Sequence, residues 1–381
     1  MAVSSLLFRQ ANRIRLLKSG DAYFPALLQA ISGAGSEICL ESYIFADDDI
    51  GQRVVSALLE AVERGVMVRV LVDGFGAHDF AEGQAGQALQ AAGAEVLVFR
   101  PKVVFYRLRR SRLRRMHRKL VVVDSRLAFL GGINIIDETT PPRLDYAVEI
   151  EGPVLFDIYK ASRRLWRTVR LTHITRMPPA SRAPVLNEAC GDIEAAFVIR
   201  NNVLHRNDIE NAYLEAINHA QKEIWIACAY FLPGRRFRQA LYAAARRGVM
   251  VRLLLQGKME YRLQYYATRA LYGAFIRAGV RCFEYERSFL HAKVAVVDSR
   301  WVTIGSSNID PFSLVLASEA NVLINNENFA QELRHDLQDE MEQGAVEIGA
   351  GYRKSLAIRI TSWLAYAVVR LLMSLSGVHT R

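Results

Sequence analysis

Cysteine is scarce. Cys39, Cys190, Cys228 and Cys282 stand far apart, with no CxxC and no nearby CxxH, so neither a zinc site nor a disulfide framework is expected. They read as buried thiols of a reducing compartment. A run of eighteen uncharged apolar residues is also missing; the nearest approach, LAIRITSWLAYAVVRLLMSL at the C-terminus, is broken by Arg359 and Arg370, which argues against a spanning helix. At the N-terminus, MAVSSLLFRQANRIR offers too short an apolar run, and no basic segment before it, for a secretory signal, so a cytoplasmic protein is expected. There is no GxxxxGK and no evident cluster of metal ligands, so neither ATP, a metal nor another cofactor is called for. Acid is the charge in short supply: 39 Asp+Glu against 49 Lys+Arg leave a net charge of +10, which favours an anionic partner, nucleic acid or an acidic membrane.

What the chain does contain is one passage written twice. HRKLVVVDSRLAFLGGIN (117–134) returns as HAKVAVVDSRWVTIGSSN (291–308), with matched lysines (Lys119, Lys293), aspartates (Asp124, Asp298), glycines (Gly131, Gly305) and asparagines (Asn134, Asn308). A carboxylate follows each histidine by 28 residues, as Asp145 and Glu319. Core packing alone would repeat Val and Leu; it has no need of His, Lys and Asn. The duplication extends upstream: strand, helix and strand patterns in 36–74 recur in 222–257, with RGVMVR at 64–69 and again at 247–252. The glycine of each RGV fits a helix C-terminus that needs positive φ.

These patterns predict an α/β fold: two lobes related by a pseudo-twofold axis, each a largely parallel sheet flanked by helices. The expected organisation is a first lobe over 1–176, a linker over 177–192 containing Pro178, Pro179 and Pro184, a second lobe over 193–348, and an amphipathic tail over 349–381.

Residues i and i+2 of a strand share a side, so each HxK presents an imidazole and an ammonium together. The asparagine adds an amide donor, and Gly131, Gly132, Gly305 and Ser306 would let backbone N–H groups reach an anion. Two such half-sites suit a phosphodiester: one histidine attacks phosphorus, the other protonates the leaving alkoxide, and a phosphohistidine stores the bond energy. Asp145 and Glu319 are each expected to orient the histidine of their own half. For Asp124 and Asp298 a turn-forming role is weighed equally with a catalytic one.

HxKxxxxD written twice, followed by GGIN and GSSN, resembles the phospholipase D superfamily. LESYIF, RRMHRK, DYAVEIEGP, AYFLPGRRF, GSSNIDPFSL and SEANV are similar to its bacterial cardiolipin synthase branch, the B type above all. The resemblance implies a phosphatidyltransferase with phosphatidylglycerol as substrate, His117 as nucleophile and His291 as acid and base, product cardiolipin. A phospholipid hydrolase or a nuclease using the same site is the alternative, with a non-catalytic lipid-binding scaffold behind both.

Two further stretches bear on the partner. Residues 101–116, PKVVFYRLRRSRLRRM, carry Arg107, Arg109, Arg110, Arg112, Arg114 and Arg115 with no acid, and account for nine residues that the second half lacks. Adjoining apolar residues favour lipid headgroups over nucleic acid. In 355–376, wound as a helix, Arg359 and Arg370 share a stripe with Ser355, Ser362, Tyr366 and Ser374, and the rest of the circumference is apolar and includes Trp363. That pattern fits a helix in the interface of an anionic membrane, on the cytoplasmic face of the cell membrane, or one folded back on the second lobe. No obligatory protein partner is implied.

Overall fold

The structure, a computed structural model, describes residues 6–100, 114–137, 142–171, 188–201, 204–311, 313, 317–349 and 356–375. In the first half, β1 (Arg9–Lys18) and α1 (Ser19–Ser32) lead into the unit β2 (Glu37–Ser42), α2 (Asp49–Glu63), β3 (Met67–Asp73). Then come α3 (His78–Glu82), α4 (Gln84–Ala92), β4 (Glu95–Phe99), the hairpin β5 (Leu120–Val123) and β6 (Leu127–Gly131), β7 (Arg143–Leu144), β8 (Tyr146–Glu151) and α5 (Leu155–Leu171).

The second half repeats the plan with β9 (Ile193–Arg200), α6 (Asp208–His219), β10 (Glu223–Cys228), α7 (Arg235–Arg246) and β11 (Met250–Gln256). It continues through α8 (Arg262–Arg269), α9 (Tyr272–Arg277), β12 (Arg281–Tyr285), β13 (Phe289–Leu290), the hairpin β14 (Lys293–Val297) and β15 (Trp301–Gly305), then β16 (Glu319–Asn325) and α10 (Glu327–Gly344). A short β17 (Ala345–Glu347) and α11 (Leu356–Leu375) close it.

All but β7 and β13 join one sheet, in the order β17-β12-β11-β10-β14-β15-β16-β9-β1-β8-β6-β5-β2-β3-β4. Read outward from the β9–β1 pair, the two sides run through equivalent strands in the same order, so the sequence repeat becomes a pseudo-twofold axis between β1 and β9. Parallel pairing in this sheet is confined to β2–β3–β4 and β10–β11–β12. The HxK hairpins and the seam are antiparallel, so the sheet is mixed rather than largely parallel. The reason lies in connection length: a three-residue turn can join only antiparallel neighbours, whereas crossover helices return strands in parallel.

Alternate residues of one strand serve different cores. Val121 and Val123 pack under α1 and α2, while Leu120 and Val122 face the layer that holds α5 and α10. The result is helix, sheet, helix. Gly65 and Gly248 adopt φ of 84° and 89° just past α2 and α7, the left-handed conformation the RGV repeat called for.

Candidate active site

The catalytic candidates are brought together by strand exchange between the halves. Met116 bridges Ser318, with His117 N–H donating to the Ser318 carbonyl at 2.9 Å and Ser318 N–H to that of Arg115 at 2.7 Å. On the other side β13 pairs in parallel with β7, and His291 N–H donates to the Leu144 carbonyl at 2.8 Å. Each histidine therefore lies beside the residue preceding the other half's carboxylate. His117 Nδ1 stands 3.0 Å and 3.1 Å from the Glu319 oxygens, and His291 Nδ1 lies 2.6 Å from Asp145 Oδ2. The expectation that each carboxylate serves its own half is corrected: the pairs are crossed. Equal spacing from histidine to carboxylate cannot reveal this, because a twofold axis allows either partner.

The tautomers follow from the neighbours. His117 Nδ1 also lies 3.1 Å from the Ser306 carbonyl, which can only accept, so Nδ1 carries the proton and Nε2 keeps its lone pair. At the second histidine, burial alone would raise the Asp145 carboxyl, but Lys293, His291 and the Tyr146 N–H outweigh it and hold it below the usual carboxylate range. Asp145 is thus an anionic acceptor for His291 Nδ1–H. Burial and the neighbouring lysines keep both imidazoles neutral despite their carboxylates; His117 is lowered and His291 falls to about 4.

Lys119 and Lys293 are buried and each bonds the backbone oxygen of its histidine, Lys119 at 2.9 Å. Lys293 also sits 3.6 Å from Asp145. Burial is the main cause that lowers the Lys119 ammonium to about 7. Asn134 Oδ1 accepts from Ile44 N–H at 3.2 Å and Asn308 Oδ1 faces the Cys228 thiol at 3.9 Å, which fixes both buried amides beside the motif.

The backbone N–H groups near the small residues are spent inside the sheet. Gly132 N–H donates to Tyr146 and Ser306 N–H to Ala320, both at 3.0 Å, while Gly131 N–H reaches Lys119 at 3.3 Å. Gly131, Gly132 and Ser306 are therefore not the backbone anion cradle anticipated from their size, and Gly305 stands within β15 opposite Asn321 of β16. Their smallness serves close approach: a Cβ on Gly132 would come within 2.2 Å of Asp145 Oδ1, and one on Gly131 or Gly305 within 2.4 Å or 2.3 Å of the adjoining strand. Ser306 uses its side chain instead, donating to Glu319 at 2.5 Å.

Asp124 and Asp298 lie at the opposite end of each hairpin, on the order of 20 Å of extended chain from the histidines. Asp124, at φ 52°, accepts the N–H groups of Gly35, Ser36 and Glu37 at 2.8, 2.7 and 2.9 Å. Asp298, also at 52°, does the same for Gln221, Lys222 and Glu223 at 2.8, 2.7 and 3.0 Å. They fasten the turn to the start of the neighbouring strand, and a catalytic role at the histidines is corrected on that ground.

A family signature described as cardiolipin synthase, PLD-like domain, matches residues 27–166 and 213–341. The chain belongs to this family. It is 41% identical over 345 residues to cardiolipin synthase B of Escherichia coli O6:H1, covering 87% of this chain and 80% of that protein. To cardiolipin synthase A of Pseudomonas fluorescens it is 32% identical over 336 residues, 86% of this chain and 68% of that one. Among solved structures, phosphatidylserine synthase of Haemophilus influenzae shares the fold with a TM-score of 0.72 at 12% identity, over 98% of this chain and 96% of the other.

Other parts of this cardiolipin synthase family site escaped the sequence reading. The Tyr43 ring stands edge-on to His117 with centroids 4.8 Å apart, and Lys119 lies over its face. Asp73, ending β3, accepts the Met116 N–H at 2.8 Å; its counterpart Gln256, ending β11, accepts the Leu290 N–H at 3.2 Å. Both hold the residue before a histidine. The aligned strand ends VLVDG and LLLQG mark the position, but the exchange of Asp for Gln hides the shared task.

Of the expected lipid-binding arginines, Arg107, Arg109, Arg110 and Arg112 lie outside the described residues. Arg115 is half-buried, 3.7 Å from Asp73 and over the Phe75 ring, and Arg114 is half-buried as well. The tail helix α11 combines the two expected placements. Ser362, Ala365, Tyr366 and Val369 turn inward against the second lobe, with Arg238 donating to the Tyr366 hydroxyl at 3.0 Å. Ile360, Trp363, Leu364, Val368 and Leu371 point outward, Leu364 at 62% exposure, and Arg359 and Arg370 are exposed at the flank. The stripe named by the helical wheel therefore lies at the edge of the packed face, with Ser362 and Tyr366 on its inner side and Arg359 and Arg370 on its outer side. Among the described residues, no helix is long and apolar enough to cross a membrane.

Proposed function

We propose that the protein is a cardiolipin synthase that passes a phosphatidyl group from one phosphatidylglycerol to the hydroxyl of a second and releases glycerol. The observation that carries this reading is the crossed pair His117–Glu319 and His291–Asp145, set in a chain related to cardiolipin synthases over most of its length. His117 Nε2 attacks phosphorus, and the bond to the glycerol oxygen breaks as His291 delivers a proton to it. The hydroxyl of the second phosphatidylglycerol then gives its proton to His291 and attacks phosphorus, and the bond to His117 breaks. Lys119, Lys293, Asn134 and Asn308 neutralise and orient the phosphoryl oxygens.

In the free site Lys119 is lowered to about 7 and so is partly neutral, and both imidazoles are neutral. A phosphodiester monoanion entering that balance draws a proton onto His291, so the acid is armed by substrate binding. His117 as nucleophile and His291 as acid and base follow the family resemblance, and what supports the first role is the hold on the His117 ring by Glu319, the Ser306 carbonyl and Tyr43.

The protein acts on a membrane surface with no need of a metal or cofactor. Arg359 and Arg370 meet anionic headgroups, and the outward apolar face of α11, with Trp363, lies in the interface. The test is the wild-type chain on phosphatidylglycerol vesicles, with lipids read by mass spectrometry. Cardiolipin and equimolar glycerol are expected, at least about 10³-fold reduced in His117→Ala and in His291→Ala. Phosphatidic acid as the sole product would replace the transferase by a hydrolase.

A further inference from the structure

Among the described residues, one polar cluster beside His291 has no counterpart beside His117. Glu260, between β11 and α8, accepts the Tyr230 hydroxyl at 2.7 Å and the Arg143 guanidinium at 3.0 Å. Those donors come from the two strands that flank His291. Cys228 pairs with Lys293 and Ala229 N–H donates to the Ala292 carbonyl at 3.0 Å, which sets Tyr230 level with His291. Arg143 pairs with Phe289, two residues before His291 and two before Asp145.

Among the described residues, the matching positions beside His117 are apolar. Phe231 bridges Ile309 as Phe45 bridges Ile135, so Tyr230 corresponds to Ile44, and counting back from Glu319 and Asp145 makes Ala317 the counterpart of Arg143. Burial alone would raise the Glu260 carboxyl, but Tyr230, Arg143 and His291 outweigh it, so the carboxylate is anionic and lies within the field of His291. Beside it is a recess of about 20 Å³ lined by Ala229, Tyr230, Gln256, Lys258, Glu260 and Tyr261. That is room for about one water-sized group.

We propose that this recess is a hydroxyl subsite: Glu260, held by Tyr230 and Arg143, accepts a hydrogen bond from the second hydroxyl of a vicinal diol whose other hydroxyl exchanges its proton with His291. The inference rests on the phosphatidyltransferase reading and adds why a glycerol headgroup is chosen. A site built to bond a hydroxyl disfavours an alcohol that lacks it, because that alcohol forgoes a charge-assisted hydrogen bond to the half-buried carboxylate.

The full chain on phospholipid vesicles, with equimolar glycerol and 1-propanol competing as acceptors, reads the choice directly. The wild type should form the glycerol product over the propanol product by roughly 10-fold or more. Glu260→Gln should bring that ratio near unity while the rate of propanol transfer stays within about 3-fold, and Tyr230→Phe should lower the ratio part-way. An equal fall with both alcohols would make the cluster a structural support and overturn the subsite, as would an unchanged ratio in a folded variant. Should Glu260→Gln fail to fold, Tyr230→Phe decides by the same ratio. Absence of transfer to either alcohol by the wild type would overturn the reaction and the subsite with it, whereas equal ratios in all three proteins overturn the subsite alone.

Discussion

The His117 and His291 half-sites share a backbone and differ in what surrounds the imidazoles. Shared are the crossed strand pairs, the carboxylate on Nδ1, the lysine two residues on, and a side chain ending the third strand that grips the residue before the histidine. Around His117 stand Tyr43, the charged Asp73–Arg115 pair and a serine bonded to Glu319. Around His291 stand Ala229, the neutral Gln256, a glycine against Asp145, and the Glu260 cluster. Duplication supplied the geometry for positioning two imidazoles, and divergence of side chains gave them different surroundings. The proposed division of labour rests on that difference: contacts on several sides of the His117 ring, and the Glu260 cluster on the strand level with His291.

The crossing is the feature whose failure would cost most. Glu319→Gln should disturb His117 and Asp145→Asn should disturb His291, each lowering turnover by roughly 10³-fold with little change in lipid binding. Imidazole NMR resonances test the assignment without relying on rate: Glu319→Gln should move the His117 ring signals and leave those of His291 nearly in place, and Asp145→Asn the reverse. Signals moving within each half would restore the uncrossed arrangement.

A smaller effect probes the charge balance. Because Lys119 is lowered to about 7, much of it is neutral in the free enzyme at neutral pH, and an anion in the site must recharge it. Inorganic phosphate or tungstate should bind with net proton uptake, and affinity should weaken as pH rises from about 7 to 9. The sign for stability is set by the same shift: the neutral form is favoured on folding, so this contribution is full above the ordinary lysine value of about 10.4 and is lost as pH falls through 7. An anion should therefore raise the melting temperature more at pH 6.5 than at pH 8.5. In Lys119→Met that pH dependence should flatten, as read by calorimetry in buffers of different ionisation enthalpy.

Much of this was legible in the chain because repetition is a local property of sequence. The matched His, Lys, Asn and carboxylate positions, the βαβ units and the RGV glycines could be read from spacing and periodicity. The crossing could not, since a pseudo-twofold axis leaves the spacing the same whichever carboxylate serves a histidine. Nor could the spending of the Gly132 and Ser306 N–H groups, which depends on the register of β8 and β16. Tyr43 and Glu260 act through tertiary proximity to residues 74 and 31 positions away, His117 and His291, and periodicity cannot see that. For α11 the wheel grouped residues by angle correctly, but only the packed lobe decides that Ser362 and Tyr366 face inward.

The mildest comparison lies at the far ends of the hairpins, where the two halves are most alike. Asp124 and Asp298 each take a left-handed turn position and three neighbouring N–H groups, so Asp124→Asn and Asp298→Asn, which keep the shape and tolerate that conformation, should each cost about 1–2 kcal/mol. Turnover per folded molecule should stay within about twofold in both. For Asp124, burial acts to raise the carboxyl, but the Ser36 hydroxyl and the N–H groups of Gly35, Ser36 and Glu37 outweigh it and leave it below its ordinary value. A depressed carboxyl contributes stability that is complete above about pH 4 and disappears as pH falls through the folded value, so the deficit of Asp124→Asn against wild type should narrow in acid. Denaturant melts at pH 7 and at about pH 2.5 check both statements. A large loss of turnover in a stable Asp124→Asn or Asp298→Asn would return these aspartates to the chemistry and make the resemblance of the hairpin ends a matter of function rather than of turn geometry.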